Sequence, residues 1–166
     1  MARLEWTNSH SVFVPNIDDD HDEILAALAG LRGMLAEPDS GVDWKKSAEQ
    51  LVRRFCDHFQ SEERLMTAAR YSSLGWHKSQ HDHARKRLKQ LLASVRSRDV
   101  ETTTAMIAYL TSWLQNHMQV ADMMMGAFLR NQCRIGKIIF SAGTKPIDGC
   151  RWKDSNGDPW TPSEPY

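Results

Sequence analysis

Four stretches of this chain carry apolar residues at helical spacing, and each of them has histidine on its apolar stripe. His21, His58, His77, His81 and His117 all sit where leucines and isoleucines would be expected, leaving only His10 and His83 of the seven histidines elsewhere. A buried imidazole without a partner is costly, so each of the five must be hydrogen-bonded or bound to a metal. The pattern restricts the fold to one that brings four helices around a polar centre.

The stripes give the outline. The first segment follows Pro15 and the acidic run Asp18-Asp19-Asp20, then repeats Ile17, His21, Ile24, Leu28, Leu31 and Leu35 every three or four residues until the break at Pro38-Asp-Ser-Gly41. The second opens near Asp43 and runs through Trp44, Ala48, Leu51, Phe55, His58, Glu62 and Leu65 or Met66, ending at Tyr71-Ser-Ser. A third covers about Leu74 to Val95 through His77, His81, Leu88, Leu91 and Leu92; a fourth covers about Val100 to Phe128 through Ile107, Leu110, Trp113 and His117. Long helices with short connections predict an all-α fold, an antiparallel up-down-up-down four-helix bundle with an N-terminal arm and a C-terminal extension. The domain boundary is expected at residue 130: residues 1–130 form the bundle, and residues 131–166, rich in Gly, Pro and polar residues, form a tail open to a protein partner or to simple packing.

Composition removes other classes. Lysine plus arginine number 21 and aspartate plus glutamate 21, so no net field draws in nucleic acid or an anionic membrane. The N-terminus lacks an apolar leader and no run is long enough to span a bilayer, which predicts a cytoplasmic protein. Cys56, Cys133 and Cys150 form no pair motif and are expected as reduced thiols, Cys56 packing as a small apolar group.

Spacing turns the histidines into a candidate metal site. His58 and Glu62 lie four apart on one helical face, and His77 and His81 repeat that spacing. His117 and Asp122 are five apart, about 140° on a regular helix, so a shared role requires a wider turn; a single π-bulge near Val120 would supply it. Imidazole with carboxylate suits iron, zinc or manganese, and seven protein ligands are too many for one tetrahedral zinc, so two metals follow. If Glu62 and Asp122 both bridge and a solvent oxygen bridges too, two six-coordinate ions keep one place open.

These residues resemble the hemerythrin family, in particular its single-domain bacterial members. The resemblance runs over Trp6-Thr through Pro15-Asn-Ile-Asp to His21, His58-Phe-Gln-Ser-Glu62-Glu63-Arg-Leu-Met66, His77-Lys-Ser-Gln-His81, and Trp113-Leu-Gln-Asn-His117 with Asp122. It implies an oxo- or hydroxo-bridged pair of irons: His77, His81 and His117 on one, His21 and His58 on the other, Glu62 and Asp122 bridging. It further implies reversible binding of dioxygen, held as hydroperoxide on the five-coordinate iron, in a binding protein rather than an enzyme. An oxygen, nitric oxide or redox sensor, or a peroxidase-like di-iron enzyme, is the alternative. An apolar oxygen pocket is expected from Ile24, Trp113 and Val120 by position. Ser72, Ala84 and the run Met123-Met124-Met125 depart from the family pattern. His10 and His83 are read as structural or surface residues, and Glu63, one residue off the ligand stripe, as a solvated charge.

Overall fold

A computed structural model of the chain describes residues 10–36, 43–95 and 99–134. Helices α1 (Pro15–Ala36), α2 (Trp44–Ala68), α3 (Leu74–Ser94) and α4 (Val100–His117) follow in order; a π-helical turn, Met118–Asp122, then leads without a break into α5 (Met123–Arg134). Each helix packs on the next, and α1 also packs on α4, so the rods close a ring. Joined by short connections, that ring is the predicted four-helix bundle. No helix among the described residues is long and apolar enough to cross a membrane.

Local chemistry sets the helix ends. Asp43 opens α2 by accepting the Lys46 N–H at 3.2 Å, and Asp99 opens α4 by accepting the Thr102 N–H at 3.0 Å. Each satisfies a donor that the first turn leaves without an intrahelical partner. At its other end α2 closes in a Schellman turn: Tyr71 N–H reaches the Met66 carbonyl and Arg70 N–H the Thr67 carbonyl. Arg70 takes the left-handed position at φ 54°, where a side chain costs about 1–2 kcal/mol relative to the ordinary conformation.

An arm folds over one end of the bundle. Ser11 Oγ and Val12 N–H both donate to the Asp18 carboxylate at 2.7 Å, and Arg130 donates to the Val12 carbonyl. Gly126 makes this approach feasible, since a Cβ there would lie 2.5 Å from the Val12 carbonyl oxygen.

Apolar side chains divide into two clusters. The larger, from Ile24, Leu28, Leu51, Phe55, Leu88, Leu110 and Leu114 among others, fills the bundle on one side of the histidines. The smaller joins the arm's Val12 and Val14 to Ile17, Met66, Met125 and Leu129 on the other side. Along each rod the polar ligand-type residues fall between the two, as His21 does between Ile17 and Ile24. The polar centre is thereby enclosed at both ends by close-packed hydrocarbon.

One boundary differs from expectation. The last helix continues through Asn131 to Arg134, because Leu129 and Cys133 keep an apolar face buried under the arm. The rest of the predicted tail, Cys150 and the tail's possible protein contact lie outside the described residues.

Candidate metal centre

The four rods deliver all seven ligand-type side chains to one place. His21 comes from α1, His58 and Glu62 from α2, His77 and His81 from α3, His117 from the end of α4 and Asp122 from the end of the π turn, none more than 6% exposed. The expected wide turn is present: Met123 N–H donates to the Met118 carbonyl five residues back. That extra residue brings Asp122 under His117, with Oδ1 at 3.1 Å from Nε2.

The carboxylates split their oxygens. Asp122 Oδ1 faces His77 and His117 at 3.2 and 3.1 Å, while its Oδ2 faces His21 at 3.2 Å. Glu62 Oε2 faces His77 and His81, each at 3.2 Å, while Oε1 turns to His58 at 3.7 Å. Two overlapping groups result, Glu62, His77, His81, His117, Asp122 and His21, His58, Glu62, Asp122, each with donor atoms within 4.8 Å of one another.

The donor atoms fit a cation. Nε2 of His117 lies 3.0 Å from Nε2 of His81 and 3.1 Å from that of His77. With bonds of about 2.1 Å, adjacent ligands stand about 3.0 Å apart around a six-coordinate ion and about 3.4 Å apart around a tetrahedral one. The observed spacings are those of hydrogen bonds in the metal-free cluster and are also short enough for the same atoms to share one ion. Glu62 Oε1, both Asp122 oxygens and both His58 nitrogens are buried without a hydrogen bond of good geometry. Such groups call for a partner, and metal ions at the two foci would supply one.

Electrostatics in the metal-free protein follow the same plan. Burial and the nearby Asp122 work to raise the Glu62 carboxyl, but His58, His77 and His81 hold it down at about 2. Burial likewise works against Asp122, yet His117, His21 and His77 keep it well below the usual carboxylate range. For His77, burial would favour the neutral ring, but Asp122 and Glu62 lift it to about 9. Burial wins at His81, aided by the neighbouring His117 and His77, and lowers it. Protons on this cluster stand in for the positive charge that its two carboxylates demand.

Around the ligands the structure corrects the sequence reading. Glu63 is no solvated charge: it is 19% exposed, and its Oε1 meets His81 Nδ1 at 3.1 Å and Arg85 at 2.8 Å, because one step off the ligand stripe turns it toward α3. Phe59 stacks on His81 with centroids 4.3 Å apart, and Trp113 stacks on His117 at 4.4 Å. Ile24, Trp113 and Val120 do not share one pocket. Ile24 is buried and lines a surface depression with His58. Trp113 and Val120 instead line a second depression, of about 210 Å³, together with His117. Val120 is 54% exposed, because the π turn that buries Met118, Ala121 and Asp122 leaves it facing outward.

The remaining histidines and thiols are peripheral. His83 is exposed and its Nδ1 lies 2.7 Å from the Ser79 carbonyl; His10, at the start of the arm, is buried. Cys56 is a half-buried free thiol whose pKa burial pushes up, and Cys133 is buried.

The chain is similar to known proteins over most of its length. Residues 12–129 match the family model described as the hemerythrin HHE cation binding domain. Myohemerythrin of Riftia pachyptila is 26% identical over 117 residues, covering 70% of this chain and 86% of the relative. Myohemerythrin of Sipunculus nudus is 28% identical with the same coverage, and hemerythrin of Themiste dyscrita is 25% identical, again over 70% and 86%. A solved structure, described as that of a leucine-to-phenylalanine mutant, superposes with a TM-score of 0.65 at 26% identity, covering 78% of this chain and 98% of that one. With its buried histidine and carboxylate cluster and a match spanning the whole bundle, this chain belongs to the hemerythrin family.

Proposed function

We propose that this chain binds dioxygen reversibly at a non-haem di-iron centre and serves to carry, store or deliver the gas. The observation behind it is the split of Glu62 and Asp122, whose separate oxygens face opposite histidine sets. One focus then has five protein donors and the other four. His77, His81 and His117 would hold one iron, His21 and His58 the other, and the two carboxylates both. Iron held by these residues would supply the electrons that dioxygen binding needs.

The chain's own residues do the rest. The two apolar clusters exclude bulk water, which would otherwise carry protons to reduced oxygen. Beside His58, a surface depression of about 290 Å³ that includes Asp20, Ile24 and Ser61 brings small molecules near the four-donor side. The donor set also favours binding over turnover. Carboxylate-rich di-iron proteins build their sites from glutamates and paired ExxH motifs, whereas five imidazoles and two carboxylates stand here.

The test is an optical spectrum of iron-loaded protein under air. Charge-transfer bands that vanish on degassing and return on aeration support reversible binding; irreversible bleaching, with steady consumption of oxygen and reductant, would identify an enzyme instead.

A further inference from the structure

One ligand is held from behind more firmly than its neighbours His58 and His77. His81 Nδ1 lies 3.1 Å from Glu63 Oε1. An ionised carboxylate can only accept, so Nδ1 carries the proton and Nε2 presents its lone pair to the cluster. Glu63 is itself fixed, for Arg85 Nη1 donates to the same oxygen at 2.8 Å and to Asp82 at 2.9 Å, and Asp82 takes Lys78 at 2.7 Å. The Arg85 guanidinium also lies 5.2 Å from the centroid of Phe59, the ring stacked on His81 at an interplanar angle of 13°. Carboxylate on one edge and aromatic ring on one face leave His81 no freedom to turn.

Two of the other imidazoles lack this support. His77 Nδ1 is buried with no hydrogen-bond partner. His58 Nδ1 faces Asp20 at 3.6 Å, beyond hydrogen-bond reach, and that side chain is 39% exposed.

We propose that Glu63, clamped by Arg85, is a positioning residue for the metal ligand His81: it fixes the Nδ1–H tautomer, aims Nε2 at the five-donor focus and increases the ring's donor strength. This rests on the reading that the cluster holds metal. Carboxylates placed behind ligating histidines act in this way generally, and their loss typically weakens metal affinity about 10–100-fold. The competing account is a surface ion-pair network that only ties α2 to α3. Such a network would affect folding and leave the metal untouched.

The two accounts separate in wild-type protein and the variants Glu63→Ala, Glu63→Gln and Arg85→Gln, each loaded with cobalt(II) as a spectroscopic probe. Cobalt affinity is read by chelator competition, the His81 N–H by its paramagnetically shifted, solvent-exchangeable resonance, and folding by melting of the metal-free forms. Glu63→Ala is expected to lose about 10–100-fold in affinity, with rapid exchange of that proton. Glu63→Gln should recover part of the loss, because its amide oxygen still accepts, and Arg85→Gln should fall between wild type and Glu63→Ala. Should Glu63→Ala fail to fold, the resonance and affinity of Glu63→Gln decide alone. Affinity and resonance equal to wild type in the Glu63 variants would overturn the proposal, as would an affinity loss matched by an equal loss of metal-free stability with the resonance unmoved. Wild-type protein that takes up neither cobalt nor iron would instead overturn the metal reading itself.

Discussion

The two foci of the cluster share Glu62 and Asp122 and differ in nearly everything else. The five-donor focus is fed by α3 and α4, and its rings are backed by Phe59, Trp113 and the Glu63–Arg85 pair. The four-donor focus is fed by α1 and α2; His21 and His58 meet edge to face at 4.6 Å, and His58 borders an open depression. Saturation and rigid backing suit a focus that retains its ion. One donor fewer suits a focus that receives an outside ligand, while depressions reach both sides, at His58 and at His117. A symmetrical cluster would have no reason to bind a gas at one side only.

The largest expected effect comes from removing what the foci share. Asp122→Asn keeps the volume and loses the charge that both histidine sets face, so iron content should fall from two per chain to below one by elemental analysis. His58→Ala should empty only the four-donor focus, leaving about one iron and no reversible oxygen spectrum. Equal losses of iron from Asp122→Asn and His58→Ala would break the comparison.

A pH series sharpens it. In metal-free protein His77 is lifted from the usual 6.5 to about 9, so its stabilising charge is fully present below pH 6.5 and lost as pH rises through about 9. Glu62, lowered from 4.5 to about 2, contributes stability present above pH 4.5 and lost as pH falls toward 2. These two groups together favour the metal-free fold most between about pH 4.5 and 6.5, and His81, which burial lowers, offsets part of that gain as pH falls below 6.5. Metal ligation needs neutral imidazole, so the difference in melting temperature between loaded and metal-free protein should widen from pH 6.5 to 9. A constant difference would show that protons and metal do not compete for His77.

Smaller effects probe regions away from the foci. Gly126→Ala drives a Cβ against the Val12 carbonyl oxygen and should destabilise the fold by about 1–3 kcal/mol in denaturant melts, with iron content unchanged. Arg70→Gly relieves the left-handed turn that ends α2 and should stabilise by about 0.5–1 kcal/mol after the entropy of the added glycine is counted.

The legibility of these features follows from what a single helix can reveal. Ligand stripes are readable because a histidine or carboxylate among buried leucines violates the ordinary pattern, and pairs four apart share a face whatever the tertiary fold. Even the π turn is implied by His117 and Asp122 at a spacing of five. Its exact start is not implied, so the outward position of Val120 is invisible in the sequence. Glu63 and Arg85 meet across two helices, and their pairing depends on the relative rotation of α2 and α3. The Schellman turn at Arg70 is hidden because no glycine marks it, and the end of α5 because Asn131 and Gln132 look like loop residues while Cys133 still packs.

The most direct test of the central claim is to measure iron and releasable dioxygen on the same sample. Two irons per chain and one dioxygen released per iron pair on evacuation, recovered in full on re-aeration, is the result expected from one saturated focus and one focus with a free place. A single iron per chain, or two irons with no releasable gas, would contradict it.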